Sequence, residues 1–267
     1  SLFQHRYHGV ADFVHISDDA VVAVVENGCR GILVDGDVLT AVVEGSQLNA
    51  GSSANVVKSY RVMRGGVDVT DFYTFGEIEN GTLTVTERKV TLTSESADKP
   101  YDGTPLTRPD VTVSDEGFVD GEVSDIKATG TITDKGSVPN TITFTEGENF
   151  KASNYIIVRE TGTLTITADA TEVVVYISGN TGTQKNDGTE KTVTGYKVTS
   201  ISSGLYKESD FAFTGNATVS ATDARATSYP MGLTAGNFEN KNDNFSKVTF
   251  IVTDGSLTID PRTVTLT

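Results

Sequence analysis

Gly162-Thr163-Leu164-Thr165-Ile166-Thr167 is one of three near copies: Gly81-Thr82-Leu83-Thr84-Val85-Thr86 precedes it and Gly255-Ser256-Leu257-Thr258-Ile259-Asp260 follows. In each, apolar residues alternate with hydroxyl or acidic ones behind a leading glycine. That period of two places one face of a strand on a core and the other in water. A strand that recurs at the close of successive stretches predicts three tandem modules over 1–86, 87–167 and 168–260. The leading glycines are 81 and 93 residues apart (162 − 81; 255 − 162), so each module has room for a small core of its own. A domain of that size buries only about 60–65% of the surface its unfolded chain exposes, which leaves a thin stability margin.

A second periodicity supports the first. Val34-Asp35-Gly36-Asp37-Val38 lies over Val119-Asp120-Gly121-Glu122-Val123 at an offset of 85 (121 − 36), and the same offset carries Gly51-Ser52-Ser53-Ala54-Asn55 onto Gly136-Ser137-Val138-Pro139-Asn140. Two landmarks at one offset mean that the strand between them has kept its length. Residues 87–167 then supply the clearest strand pattern: 89–93, 111–113, 126–133, 141–145, 154–158 and the closing Gly162 strand. Turns such as Tyr101-Asp102-Gly103 and Asp134-Lys135-Gly136 separate them. In the third module 173–177 opens the scheme, Asn186-Asp187-Gly188-Thr189 stands where Tyr101-Asp102-Gly103-Thr104 stood, Asp223 answers to Asp134, and Asn244-Phe245 to Asn154-Tyr155. Residues 261–267, Pro261-Arg262-Thr263-Val264-Thr265-Leu266-Thr267, repeat Glu87-Arg88-Lys89-Val90-Thr91-Leu92-Thr93 and predict the first strand of a truncated fourth module. Val264 to Leu266 is expected to lie extended or to pair with a sheet edge. Residues 1–30 are the least legible; 10–16 and the Val-rich 20–26 fit strands.

The formal charge is −15 and the pI near 4.5, with no cluster of Lys and Arg to replace counterions on phosphate, so nucleic acid is excluded as a partner. The longest apolar run, 20–25, is too short to span a bilayer, so no direct membrane insertion is expected. With no initiator methionine, signal peptide or anchor, the expectation is an excised piece of a longer protein. One cysteine, Cys29, allows no intrachain disulfide.

The Tyr101-Asp102-Gly103-Thr104 and Asn186-Asp187-Gly188-Thr189 turns, the Asn154-Tyr155 pair, Pro230-Met231-Gly232-Leu233, Asn242-Asp243-Asn244-Phe245 and the Gly-Thr-Leu-Thr-Ile strands resemble the YDG/MBG-type repeats of large bacterial cell-surface adhesins. The likeness covers about 34–267; Asn186 departs from the motif tyrosine, and the first module has no clear copy. It implies an all-β chain of Ig-like or β-grasp-like modules in an elongated array, extracellular and cell-wall associated. Its role would be that of a monomeric stalk or spacer with weak multivalent attachment to host or neighbouring-cell glycans or proteins. Three compact modules in line would make a rod on the order of 100 Å.

No catalytic residue or cofactor is expected. Asp102 and Asp187 fit turn carboxylates that accept local backbone N–H bonds. His5, His8 and His15 lie near the start without a Cys or carboxylate at metal-ligand spacing, and Ser-His-Asp or Cys-His hydrolysis is hard to build. The acidic pairs Asp115 with Glu116, Asp120 with Glu122, and Glu146 with Glu148 fit solvated loops. Calcium is the better-motivated ligand, with Asp115, Asp120 and Asp125 in one loop and Asp243 and Asp254 in another as oxygen donors, although neither loop has EF-hand spacing. Lys89 or Lys127 would be the candidates for a Lys–Asn or Lys–Asp cross-link. The alternative to a spacer is a carbohydrate- or glycoprotein-binding module on a surface enzyme, using exposed Tyr60, Tyr73, Tyr196 and Tyr206 as stacking platforms.

Overall fold

The computed structural model describes residues 16–17, 20–26, 33–114 and 116–266. Among them the chain is all-β, with short strands and four 3₁₀ turns but no α-helix. They gather into two compact units, and 87–167 contributes to both. The first holds the described residues up to Leu92 with Thr112–Ile126 and Phe144–Glu160; the second holds Thr93–Val111, Lys127–Thr143 and the described residues from Thr161 on.

The three closing copies form strands, Gly81–Val85, Thr163–Thr167 and Ser256–Asp260, with the expected alternation: Leu83 and Val85, Leu164 and Ile166, and Leu257 and Ile259 are buried. Removing each such side chain from water stabilises by about 1.5–3 kcal/mol. The exposed faces pair hydroxyls across strands, Ser52 with Thr84 and Ser137 with Thr165, each at 2.9 Å.

The first unit is built on a six-stranded sheet. Gly51–Arg64 pairs antiparallel with Asp37–Gly45 through Val56–Arg64, and with Gly81–Val85 through Gly51–Asn55. Ala20–Glu26 continues the sheet beyond Asp37–Gly45, as a strand pattern predicts for that Val-rich run. Leu39, Val62 and Val69 form a core against Leu33, Tyr60, Tyr73 and Phe75. A second apolar cluster joins the rings of Phe118, Phe144, Phe150 and Tyr155, at centroid distances from 5.2 to 6.3 Å.

In the second unit the closing strands each sit between one antiparallel and one parallel neighbour. Thr163–Thr167 lies between Gly136–Pro139 and Ala97–Pro100; Ser256–Asp260 lies between Tyr229–Pro230 and Thr181–Lys185. Val173–Gly179 lies between Tyr196–Ile201 and the parallel Val248–Thr253 over the largest core, which includes Val175, Ile177, Tyr206, Phe238 and Phe245.

The register across the two units repeats the offset seen in the sequence. Gly51 faces Val85 and Ala54 faces Thr82, while Gly136 faces Ile166 and Pro139 faces Thr163. Two expected elements shift. The strand predicted over 126–133 is Val123–Ala128 followed by a bridge from Ile132 to Leu106, because Gly130 passes so close to Asn140 that the ladder breaks there. Residues 261–266 form no strand, and Val264 and Leu266 are exposed. The expected strand over 10–16 is described only from Ile16.

Candidate functional site

The Tyr-Asp-Gly turn and the Asn-aromatic pair recur alongside the closing strands. Asp102 Oδ1 accepts the Thr104 N–H (2.9 Å), the Thr104 hydroxyl (2.7 Å) and Lys99 Nζ (2.7 Å). Asp187 Oδ1 likewise accepts the Thr189 N–H (3.0 Å) and hydroxyl (2.6 Å), and Oδ2 accepts Lys191 Nζ (2.7 Å). Both carboxyls are held well below the usual carboxylate range, first by the lysine and then by the threonine hydroxyl and amide. The turn tightens through a glycine with positive φ, Gly103 at +76° and Gly188 at +86°. The lysine sits three residues before one aspartate and four after the other, so the two turns reach one electrostatic arrangement by different routes.

Tyr101 and Gly103 also touch residues far along the chain. The Tyr101 ring meets Phe245 edge-on at 5.4 Å, and Phe245 meets Tyr206 edge-on at 5.2 Å. A Cβ on Gly103 would stand 2.9 Å from Leu205 Cδ2. Beside these contacts, Asn244 Oδ1 accepts the Lys135 N–H (2.6 Å) and Asn244 Nδ2 donates to Asp134 Oδ1 (2.9 Å).

The same two-pronged amide clamp recurs in the first unit. Asn154 Oδ1 accepts the Ala50 N–H (2.9 Å), and Asn154 Nδ2 donates to Asn49 Oδ1 (3.1 Å). Asn49 and Ala50 precede Asp134 and Lys135 by the same offset of 85 (134 − 49) that relates the sequence landmarks. In both clamps the asparagine precedes a buried aromatic residue, Tyr155 or Phe245. A primary amide carries its acceptor and its donor on two separate atoms in one plane, so Oδ1 can take the backbone N–H while Nδ2 reaches the neighbouring side-chain oxygen.

A third repeated device holds the aromatic residue from behind. Tyr73 Oη accepts the Val34 N–H (2.9 Å) and donates to Asp37 Oδ2 (2.5 Å); Tyr155 Oη accepts the Val119 N–H (3.1 Å) and donates to Glu122 Oε2 (2.6 Å). Asp37 has a fully covered side chain and also accepts a two-pronged bond from Arg64, which lowers its pKa first, ahead of Tyr73. The residue before Tyr73 is Phe72, exposed, where the other two copies have asparagine.

Of the calcium candidates, Asp120 and Asp125 lie in the first unit and Asp243 and Asp254 in the second, matching the two separate loops named in the sequence; Asp115 lies outside the described residues. Asp254 spends both oxygens on the N–H groups of Gly232 (3.0 Å), Leu233 (2.7 Å) and Gly255 (2.8 Å). Among the described residues no three His, Cys, Asp or Glu side chains form a group able to hold a metal ion. His5, His8, His15 and Cys29 lie outside the described residues. Of the acidic pairs, Glu122 is taken up by Tyr155. Lys89 and Lys127 are exposed.

The four tyrosines expected as open stacking platforms are packed instead. Tyr206 is buried, its ring on Phe245 and its hydroxyl on Asn240 (2.9 Å), and burial pushes its phenol up to about 12. Tyr196 is half-buried against Phe213 and Phe238, Tyr60 against Phe75, and Tyr73 is held as above. Period-two alternation carries little signal for this, because Tyr73 and Tyr206 lie outside strands and Tyr196 begins one; Tyr60 alone sits within a strand, Gly51–Arg64.

No helix among the described residues is long and apolar enough to cross a membrane. No family model, curated protein or solved structure matches the chain.

Proposed function

We propose that the chain is a non-catalytic, repeat-built spacer of a bacterial cell-surface adhesin, acting outside the cell at the wall by reach and by weak multivalent attachment. The observation that carries this reading is the repeated amide clamp. Asn154 and Asn244, which stand out in the sequence as a recurring pair with an aromatic residue, are spent on bonds to Asn49 and Ala50 and to Asp134 and Lys135. Motif residues committed to joining one segment to the next suit a protein whose task is to set distance. Repetition of a module also raises avidity through effective concentration without a tight site. The adhesin assignment itself rests on the resemblance of the Tyr-Asp-Gly and Asn-aromatic motifs.

Small-angle scattering tests the spacer. A compact particle of this length has a radius of gyration of about 18 Å. The proposal expects a clearly larger value from a monomer, with a broader distance distribution once Asn154 and Asn244 are both replaced by Ala. A value near the compact one would contradict it.

A further inference from the structure

Two asparagine clamps are closed in this chain, and a third acceptor stands open. Asp223 follows Thr222 as Asp134 follows Thr133. The strand Thr218–Ala221 ends just before it, as the Ile132 bridge ends just before Asp134. Downstream, Tyr229 and Pro230 face Leu257 and Ser256, as Val138 and Pro139 face Leu164 and Thr163. The stretch between is longer here, 224–228 against 135–137, but the extra length falls after Ala224. It is folded back by Arg225, whose guanidinium lies 3.6 Å from the centre of the Tyr229 ring and whose Nε donates to Thr227 O (2.8 Å). The Asp223 carboxylate is exposed and has no partner among the described residues; its backbone oxygen alone is engaged, by the Tyr229 hydroxyl (2.8 Å).

We propose that the Asp223 carboxylate, as acceptor, and the Ala224 N–H, as donor, are the open half of a third clamp. The partner is the Asn-aromatic turn of a further β segment of the same repeat type, joined through residues 261–267. The inference rests on the tandem-repeat reading above. A second copy of this chain does not fit the role: its Asn154 and Asn244 are already engaged, and its first such turn presents Phe72 instead of an amide. The apolar residues of 261–267 point to the same partner. Val264 is 76% and Leu266 94% exposed, whereas Val90 and Leu92, at the same places in the earlier copy, are fully buried.

The experiment appends a copy of residues 94–167 after Thr267, so that 261–267 take the place of 87–93, and follows backbone amide exchange by NMR. Exchange at Ala224 is expected to slow on the order of tenfold, the value of about one net hydrogen bond, and Leu266 is expected to become protected. Replacing the appended copy of Asn154 by Ala, or Asp223→Ala in the extended chain, returns Ala224 to its original rate while leaving Leu266 protected. Protection of Leu266 without any change at Ala224 overturns the proposal. Failure of Leu266 to gain protection overturns it too, since the strand would then not be completed by such a segment. The Ala50 and Lys135 amides in the unextended chain separate the two readings: if they are slow and speed up in Asn154→Ala and Asn244→Ala, the repeated clamp holds whatever happens at Ala224.

Discussion

The clamp of the first unit and that of the second share their hydrogen bonds and differ in their apolar contact. Asn154 meets Asn49 and Ala50 while the aromatic residue after it, Tyr155, packs on Phe118 and Phe150 and anchors its hydroxyl on Glu122. Asn244 meets Asp134 and Lys135 while Phe245 lies between two rings, Tyr206 and, from the Tyr-Asp-Gly turn, Tyr101. The amide therefore sets the register of a junction, and the aromatic pair adds burial where the motif tyrosine is present. The second junction should be the stronger.

Phe245→Ala should have the largest effect, about 3–5 kcal/mol of stability, seen as an early thermal transition. Tyr155→Phe, which removes hydroxyl bonds alone, should cost about 0.5–1.5 kcal/mol. Equal losses would erase the distinction. The leading glycines sharpen the contrast between copies. A Cβ at Gly162 would stand 2.3 Å from Glu95 O, and one at Gly255 2.5 Å from Asn180 O, whereas at Gly81 the nearest atom is 3.5 Å away. Gly162→Ala should cost about 1–3 kcal/mol through overpacking against backbone that cannot yield. Gly81→Ala should stay within about 0.5 kcal/mol in chemical denaturation, as an unstrained surface substitution does.

The turn carboxylates predict a smaller, pH-dependent effect. Asp102 and Asp187 have pKa values lowered by Lys99 and Lys191, so their contribution is present above the usual carboxylate range near pH 4 and fades as the pH falls below it. Melting temperature should drop on acidification below about pH 4, less steeply in Asp102→Asn. An unchanged slope would remove Asp102 from that account. Both groups are exposed, so solvent keeps the effect modest.

The strands were legible wherever burial follows a period of two: Leu164 and Ile166, Leu257 and Ile259, and the 173–177 run all sit as their alternation requires. The short polar neighbours Ala97–Pro100 and Thr181–Lys185 were not, because a parallel strand beside a closing strand needs only backbone to pair. The asparagine clamps were hidden for a related reason. Their partners lie more than a hundred residues away in sequence, and a bond made by one amide leaves no periodicity. What the sequence carried was the coincidence of one offset, which marks equivalent turns without saying what they hold. Asn140 shows the limit of such alignment. Its buried amide bonds Glu95 O, Arg108 O and the Gly130 N–H, yet the same strand position is Met231 in the last copy, while in the first Asn55 keeps a buried Oδ1 with no partner among the described residues. One backbone position thus accepts a satisfied amide, an incompletely satisfied one and a thioether.

The most direct test of the clamp is a double-mutant cycle on Asn49 and Asn154, where no aromatic contact from the neighbouring segment, among the described residues, adds to the amide pair. The account predicts that Asn49→Ala and Asn154→Ala are coupled by about 0.5–1.5 kcal/mol in equilibrium denaturation. Strictly additive losses would show that the two amides merely lie side by side and that the junction is held by something else.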